Sequence, residues 1–309
     1  MTAVADTLPM PEAEAASAPV RPRLWRYLLA DPLAVAAAIW LLLVLVGLIL
    51  GLTLLTDEAA AMNLRARNLA PFDLAQGWIN ILGADSLGRP MLARLMVASA
   101  TSLSIALASV VTSLVLGTLI GVVAGYFGGW LGTTLMRVGD VILSFPLLLL
   151  ALVVLFILGP SLVNLVLVMA ITRIPVYARV ARAEVLELRE RLFVDAARSL
   201  GAGAPHIMRV HILPLVLPTL LTVASVNLAI VMLFESGLSF LGLGVQPPGT
   251  SWGLMVAQGR SYLAQAWWLA CFPGLAIMLT TMAFNILSSW WRTVSDPAQR
   301  WRLERRDRA

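Results

Sequence analysis

The chain has 309 residues, of which 60% are hydrophobic and only 13% charged; a soluble domain carries about a quarter charged residues, so the composition excludes an ordinary soluble domain and marks an integral membrane protein. All 22 basic residues are Arg, and the absence of Lys excludes both a Walker A lysine, hence a self-contained P-loop ATPase, and Schiff-base chemistry. The basic residues flank apolar runs, so the net charge of +5 reads as membrane topology, with lipid and not nucleic acid as the expected partner.

Residues 1–25 begin Ala-, Pro- and Glu-rich and read as a disordered cytoplasmic tail. No signal peptide is evident, because the first apolar run is too long and too far from the start. That run, Pro32 to Leu55, follows Arg21, Arg23 and Arg26. At about 1.5 Å per residue it crosses a ~30 Å hydrocarbon core. Residues 56–97 are mixed and polar and form an external loop with short interfacial helices, so that 26–97 hold the first span and its loop.

Residues 98–292 form the membrane core. The second span is Thr101 to Tyr126, where Gly117, Gly121 and Gly125 repeat every fourth residue. This is a small-xxx-small pattern that serves close helix packing or lines a pore. Phe127 to Thr134 is a glycine-rich turn, and Val138 to Leu158 the third span, kinked at Pro146. Arg137 and Asp140 are spaced to pair, with a gating role for Asp140 as the alternative. The fourth span is Leu162 to Ala178, where Arg173 either snorkels to the inner interface or faces a polar cavity. The fifth, Leu215 to Glu235, holds Asn227 and Glu235. Glu235 is either a path residue or a cap. Residues 236–266 make a second external loop, and Trp267 to Trp291 is the sixth span, with Trp pairs at both ends as an aromatic belt. Residues 293–309 form a basic cytoplasmic tail. With five Arg on the sides read as external (Arg65, Arg67, Arg89, Arg94 and Arg260) and the other 17 on the cytoplasmic side, the positive-inside bias fits six helices with both termini inside. The fold class is therefore all-α and polytopic, one membrane domain with six transmembrane helices.

The loop over 183–214 is the one charge-dense segment between apolar runs. Val185, Leu188, Leu192 and Ala196 recur at steps of three and four, which places them on one helical face. Gly201 and Gly203 break that helix, and Pro205 is placed to start another. Two short helices joined by a glycine turn make a knob that needs a socket. Lone Cys271 excludes an intrachain disulfide and reads as an inert packed thiol. His206 and His211 are five apart, on different faces of an α-helix, and no acidic or Cys partner clusters with them, so no metal site is expected.

At this loop the chain resembles the permeases of ABC importers. Their pattern is Glu-Ala-Ala, three residues, Gly, nine residues, then Ile-x-Leu-Pro. Here it reads Asp195-Ala196-Ala197, Gly201, and Leu213-Pro214, with Asp195 in place of Glu and His211 in the Ile position. The runs Leu82 to Arg89, Gly125 to Gly129 and Leu238 to Pro248 are similar to the C-type subunit of the dipeptide/oligopeptide/nickel branch, and Pro90 stands where that branch has an acid. The resemblance covers residues 28 to 297. It implies the type I importer permease fold, with Asp195, Ala196, Ala197, Gly201, Leu213 and Pro214 docking an ATPase. Arg173, Asn227 and Glu235 are the candidates for the translocation path.

The resemblance further implies a homologous B-type permease subunit, two ABC ATPase subunits and an external solute-binding protein as partners. ATP and Mg then reside on those ATPases, with no cofactor and no catalysis in this chain. The expected cargo is a di- or oligopeptide, with a nickel chelate, glutathione or an opine as alternatives. The competing class is a self-sufficient carrier or channel. Such a carrier shows several ionisable residues deep in its spans and often an internal repeat, and neither is evident here.

Overall fold

A computed structural model describes residues 24–73 and 77–295; the expected tails over 1–23 and 296–309 lie outside the described residues. Among those described, all regular structure is helical. The helices in chain order are α1 (Leu24–Leu29), α2 (Pro32–Leu54), α3 (Thr56–Ala60), α4 (Met91–Phe127), α5 (Gly129–Ser144), α6 (Leu147–Leu158), α7 (Leu162–Leu188), α8 (Leu192–Ser199), α9 (Ala204–His206), α10 (Leu213–Phe240), α11 (Trp252–Gly259) and α12 (Trp268–Ser295). Five of the segments are long and apolar enough to cross a membrane, and the bent pair α5–α6 makes a sixth. The expected six-span, all-α architecture is therefore present.

Proline and glycine set several boundaries differently from the sequence pattern. The second span starts at Met91, ten residues before Thr101, with Pro90 directly ahead of it. A proline fits there because its missing N–H has no acceptor at a helix start. The glycine turn shrinks to Gly128 and Gly129, both at positive φ (60° and 55°), and α5 resumes at once. At Phe145-Pro146 the third span does not merely kink: α5 and α6 meet at 88°, since the residue before a proline is driven out of the helical region. α7 instead runs through Pro175 to Leu188, ten residues past the expected end at Ala178.

The centre of the molecule is the α4–α7 pair. A Cβ on Gly117 would lie 2.6 Å from Tyr177 Cβ and 2.7 Å from the Ile174 carbonyl oxygen. On Gly121 it would lie 2.5 Å from the Ala178 carbonyl oxygen, and on Gly125 2.7 Å from Val185 Cβ. The stripe therefore serves close packing and does not line a pore; the neighbour it needs is the chain's own α7. Ser109, Ser113, Ala178 and Ala181 extend the small-residue contact, all buried.

Outside this pair, α2 lies against α4 and α12 and exposes Leu42, Leu43, Ile49 and Leu52, as a lipid-facing helix does. Trp40 Nε1 on α2 donates to Thr280 Oγ1 at 3.0 Å. The Trp pairs divide their roles. Trp267 and Trp291 are exposed, as an interfacial belt requires, whereas Trp268 is buried and donates to the Ala84 carbonyl at 3.3 Å. The second loop is not merely external: α11 folds back against α4, α10 and α12, with Trp252 buried. Cys271 is exposed, not packed, because it falls on the outer stripe of α12. The Arg137–Asp140 pair is a loose 3.9 Å contact, and the short partner of Asp140 is Arg179 at 2.6 Å.

The close approach of α4 and α7 makes Gly121 a test position. Gly121→Val is expected to cost about 3 kcal/mol, the upper range for overpacking, and to lower the thermal midpoint in detergent. Gly274→Ala on α12, whose Cβ meets nothing within 4 Å, is expected to leave it unchanged or higher. An unaltered midpoint for Gly121→Val contradicts the packing.

Candidate functional site

The polar loop folds as a clamped bracket. α7 ends at Leu188, and Arg189 Nη1 reaches back to the Gly125 carbonyl of α4 at 3.0 Å, supplying a donor and a positive charge to that helix's C-terminal end. The chain then reverses into α8. Because the helix breaks at 189–191, the expected single face of Val185, Leu188, Leu192 and Ala196 does not form: Val185 is buried, but Leu192 is 86% exposed. The inward face of α8 is Val194 and Ala197, packed with the buried Ile207 and Ile212 of the return segment. Of the two alanines, only Ala196 faces outward.

α8 ends in a Schellman motif. The Ala202 N–H donates to the Ala197 carbonyl at 3.0 Å, and the Gly201 N–H to that of Arg198 at 2.9 Å. Gly201 has φ +85°, with open space where a Cβ would stand. A side chain there is opposed by backbone strain alone, about 1 kcal/mol. Asp195 pairs with Arg198 within the helix at 3.4 Å, an exposed contact of small worth. Arg198 also lies over the Tyr126 ring, 5.5 Å from its centroid, a second tie between the bracket and the end of α4.

The return segment holds a feature the sequence pattern misses. Residues Ile207–Ile212 form a π-helical turn, in which residues five apart share a face. The His206 and His211 rings therefore meet at 5.7 Å, contrary to the expectation from α-helical spacing. Pro214 follows in the first turn of α10. In a regular helix its ring would collide with the carbonyl four residues back, and the wider turn ahead of it relieves that contact. Leu213 packs against the core, while Pro214 is exposed.

The three path candidates do not share one environment. Arg173 on α7 is half-buried, with its guanidinium 5.4 Å from the centroid of Phe234 on α10. Asn227 is buried and donates to the Val223 carbonyl at 3.2 Å. Between them stands Tyr177, wholly buried; its hydroxyl faces Asn227 and Ser113 without closing a well-formed hydrogen bond. Glu235 is apart from these. It is 2% exposed, and its Oε1 accepts from Ser239 Oγ at 2.8 Å and Ser251 Oγ at 2.9 Å. Ser251 in turn caps α11 by accepting from the Leu254 N–H. This geometry favours the capping reading of Glu235.

At the opposite end from the bracket lies a buried ion network. Asp85 accepts from the Leu87 and Arg89 N–H groups at 2.9 and 2.8 Å, from Arg89 Nε at 2.7 Å and from Arg94 Nη1 at 2.6 Å. Arg94 Nη2 then donates to Gln258 Oε1 of α11 at 3.1 Å. One carboxylate thus ties the first loop, the start of α4 and α11 together. The Asp85-to-Arg89 spacing was visible in the sequence; Arg94 and Gln258, 164 residues apart, were not.

Long apolar helices with a polar bracket at one end and a buried polar knot at the other define a multi-pass membrane protein. Residues 117–301 match the family described as binding-protein-dependent transport system inner membrane component. The chain is 38% identical over 267 residues to the probable D,D-dipeptide transport system permease protein DdpC of Escherichia coli K12, spanning 86% of this chain and 88% of that one. It is 42% identical over 275 residues to the dipeptide transport system permease protein DppC of the same organism, spanning 88% and 91%. A chain of the inward-facing MetNI methionine ABC transporter superposes with a TM-score of 0.51 at 20% identity, covering 67% of this chain and 99% of that one, a likeness of fold alone.

The chain belongs to the family of binding-protein-dependent transport system inner membrane components, and is a C-type permease component of an ABC importer. Family membership sets aside the alternative of a self-sufficient carrier or channel.

The Asp85 network generates a test. Asp85→Ala leaves Arg94 buried without its counter-charge and is expected to cost about 3–5 kcal/mol, read as a lowered thermal midpoint in detergent. Asp85→Ala with Arg94→Met removes both charges and is expected to recover much of that loss. A double variant no more stable than Asp85→Ala would show that the pair does not act as a unit.

Proposed function

We propose that this chain carries di- or oligopeptides across the cytoplasmic membrane by alternating access, together with a homologous B-type permease subunit. Two ABC ATPase subunits, which bind ATP and Mg, dock on the bracket, and an external solute-binding protein delivers the cargo. The chain itself catalyses no reaction and holds no cofactor. The peptide assignment rests on the named activities of its relatives. Nickel chelates, glutathione and opines remain the alternative cargoes.

The observation that carries the docking role is the outward face of α8. Leu192 and Leu200 are 86% and 89% exposed, and Phe193 is 40% exposed, on a helix whose other side is locked by Val194 and Ala197. Exposed apolar side chains on a rigid, charge-bordered helix suit a protein groove. Movement of that groove on ATP binding passes through the Arg189 and Arg198 ties into α4, and the spans switch as a body. In this reading both termini are cytoplasmic, the core comprises residues 98–292, and the loop from 183 to 214 is its coupling element. Asn285 is also exposed on α12, a polar group that is costly against lipid and supports a second permease subunit at that face.

Leu192→Asp with Leu200→Asp is expected to leave the membrane domain folded, with an unchanged thermal midpoint, and to abolish co-purification of the ATPase. Uptake of a radiolabelled dipeptide should fall more than tenfold. Retained ATPase association with normal uptake sinks the docking role. In a Cys271→Ser background, a cysteine placed at Asn63 or Gln246, both exposed, is expected to react with an impermeant maleimide added outside intact spheroplasts. Reaction only after lysis reverses the proposed orientation.

A further inference from the structure

Arg173 lies twelfth in the 27-residue α7, so it is ~16 Å from one end of that helix and ~22 Å from the other. Asn227, fourteen residues into α10, stands ~21 Å from the same side of the bundle. Both residues therefore lie near the middle of helices long enough to span a bilayer. Arg173 is half-buried and is held by the face of Phe234. Among the described residues it forms no ion pair and no hydrogen bond. Asp140 pairs with Arg179, Arg94 with Asp85, and Glu235 accepts from two serines, so none of these carboxylates serves Arg173; Arg182, nine residues on in α7, likewise has no partner for its buried Nε among the described residues. A guanidinium this far into a span is rare and faces the bundle interior, a water-filled cavity or a partnering group. Stacking on an aromatic ring fixes the plane of the fork while leaving its N–H edges free to donate.

We propose that Arg173 is a mid-membrane anion site of the translocation path, which pairs with a carboxylate of the cargo as it passes. Phe234 orients the guanidinium, and Tyr177 and Asn227 form a polar floor beside it. A planar fork matches a carboxylate in two parallel hydrogen bonds, and a peptide bears such a group at its C-terminus. The aromatic partner limits the strength of the stop, because it already satisfies part of the cation, so the cargo is held transiently and released. The inference rests on the importer reading above and adds the chemical class that the path selects.

The test uses the complete importer, co-expressed with its partner subunits and reconstituted in proteoliposomes, in a Cys271→Ser background. Val176, partly exposed and one turn from Arg173, is replaced by Cys as a reporter. Its reaction rates with a sulfonate-bearing and a trimethylammonium-bearing methanethiosulfonate are compared, with Arg173 present and with Arg173→Gln. A fixed positive charge one turn away is expected to raise the anionic-to-cationic rate ratio on the order of tenfold over that of Arg173→Gln. Arg173→Lys keeps the charge and should retain most of the ratio. In the same vesicles, ATP-dependent uptake of L-alanyl-L-alanine is expected to fall in Arg173→Gln and to recover in part in Arg173→Lys.

A reporter that reacts with neither reagent overturns the proposal, as does a rate ratio unchanged by Arg173→Gln, the result if a carboxylate of a neighbouring subunit neutralises the site. Absence of dialanine uptake with Arg173 in place, alongside the expected ratio, would count against the peptide reading and leave the anion site standing.

Discussion

The backbone-to-backbone approach of α4 and α7 is the constraint on which the other parts depend. Three glycines one turn apart remove every side chain that would hold the helices separate, and Tyr177, Ala178 and Val185 close on the space. In lipid there is no hydrophobic gain in bringing two apolar helices together, so close dispersion contact between small residues supplies the attraction. α4 thereby becomes a fixed post, and both of its ends are tied to polar structures that sit outside the hydrocarbon.

At one end, Arg189 and Arg198 fasten the bracket to Gly125 and Tyr126. At the other, Arg94 fastens Asp85 and Gln258. In the proposed coupling role, a displacement at the bracket passes along a single stiff helix to its far end and is not lost in a flexible linker. The Schellman turn at Gly201 and the buried side chains Val194, Ile207 and Ile212 keep the bracket itself from deforming under load. The 88° break at Phe145-Pro146 has the opposite character. It leaves α6 as a short arm against α7, free of the α4 post.

Polar residues within the spans fall into two kinds. Glu235, Ser239 and Ser251 satisfy one another and lock α11 onto α10. Among the described residues, Arg173 rests on an aromatic face and makes no hydrogen bond or ion pair. In the proposed function, the first kind is structural and the second faces a cargo or a partner subunit. The exposed Asn285 belongs to the second kind.

Local pattern by itself determined much of this protein. The apolar runs gave the spans, because crossing hydrocarbon demands about twenty consecutive apolar residues. The four-residue repeat gave the glycine face, and the Gly201 turn was legible because a helix end needs a left-handed residue. Spacing in the loop gave the family pattern. What the sequence left undecided were choices between neighbours distant in the chain or between competing local geometries. Which helix met the glycines was not written in their spacing. Asp140 had a local partner in Arg137 but took Arg179, 39 residues on, because α5 and α7 lie side by side. His206 and His211 were set apart by α-helical counting and brought together by a π turn placed before Pro214. Leu192 fitted the periodicity of a buried face until the helix broke at 189–191 and turned it outward. Composition and periodicity record what each residue tolerates; only the packed structure decides what each one touches.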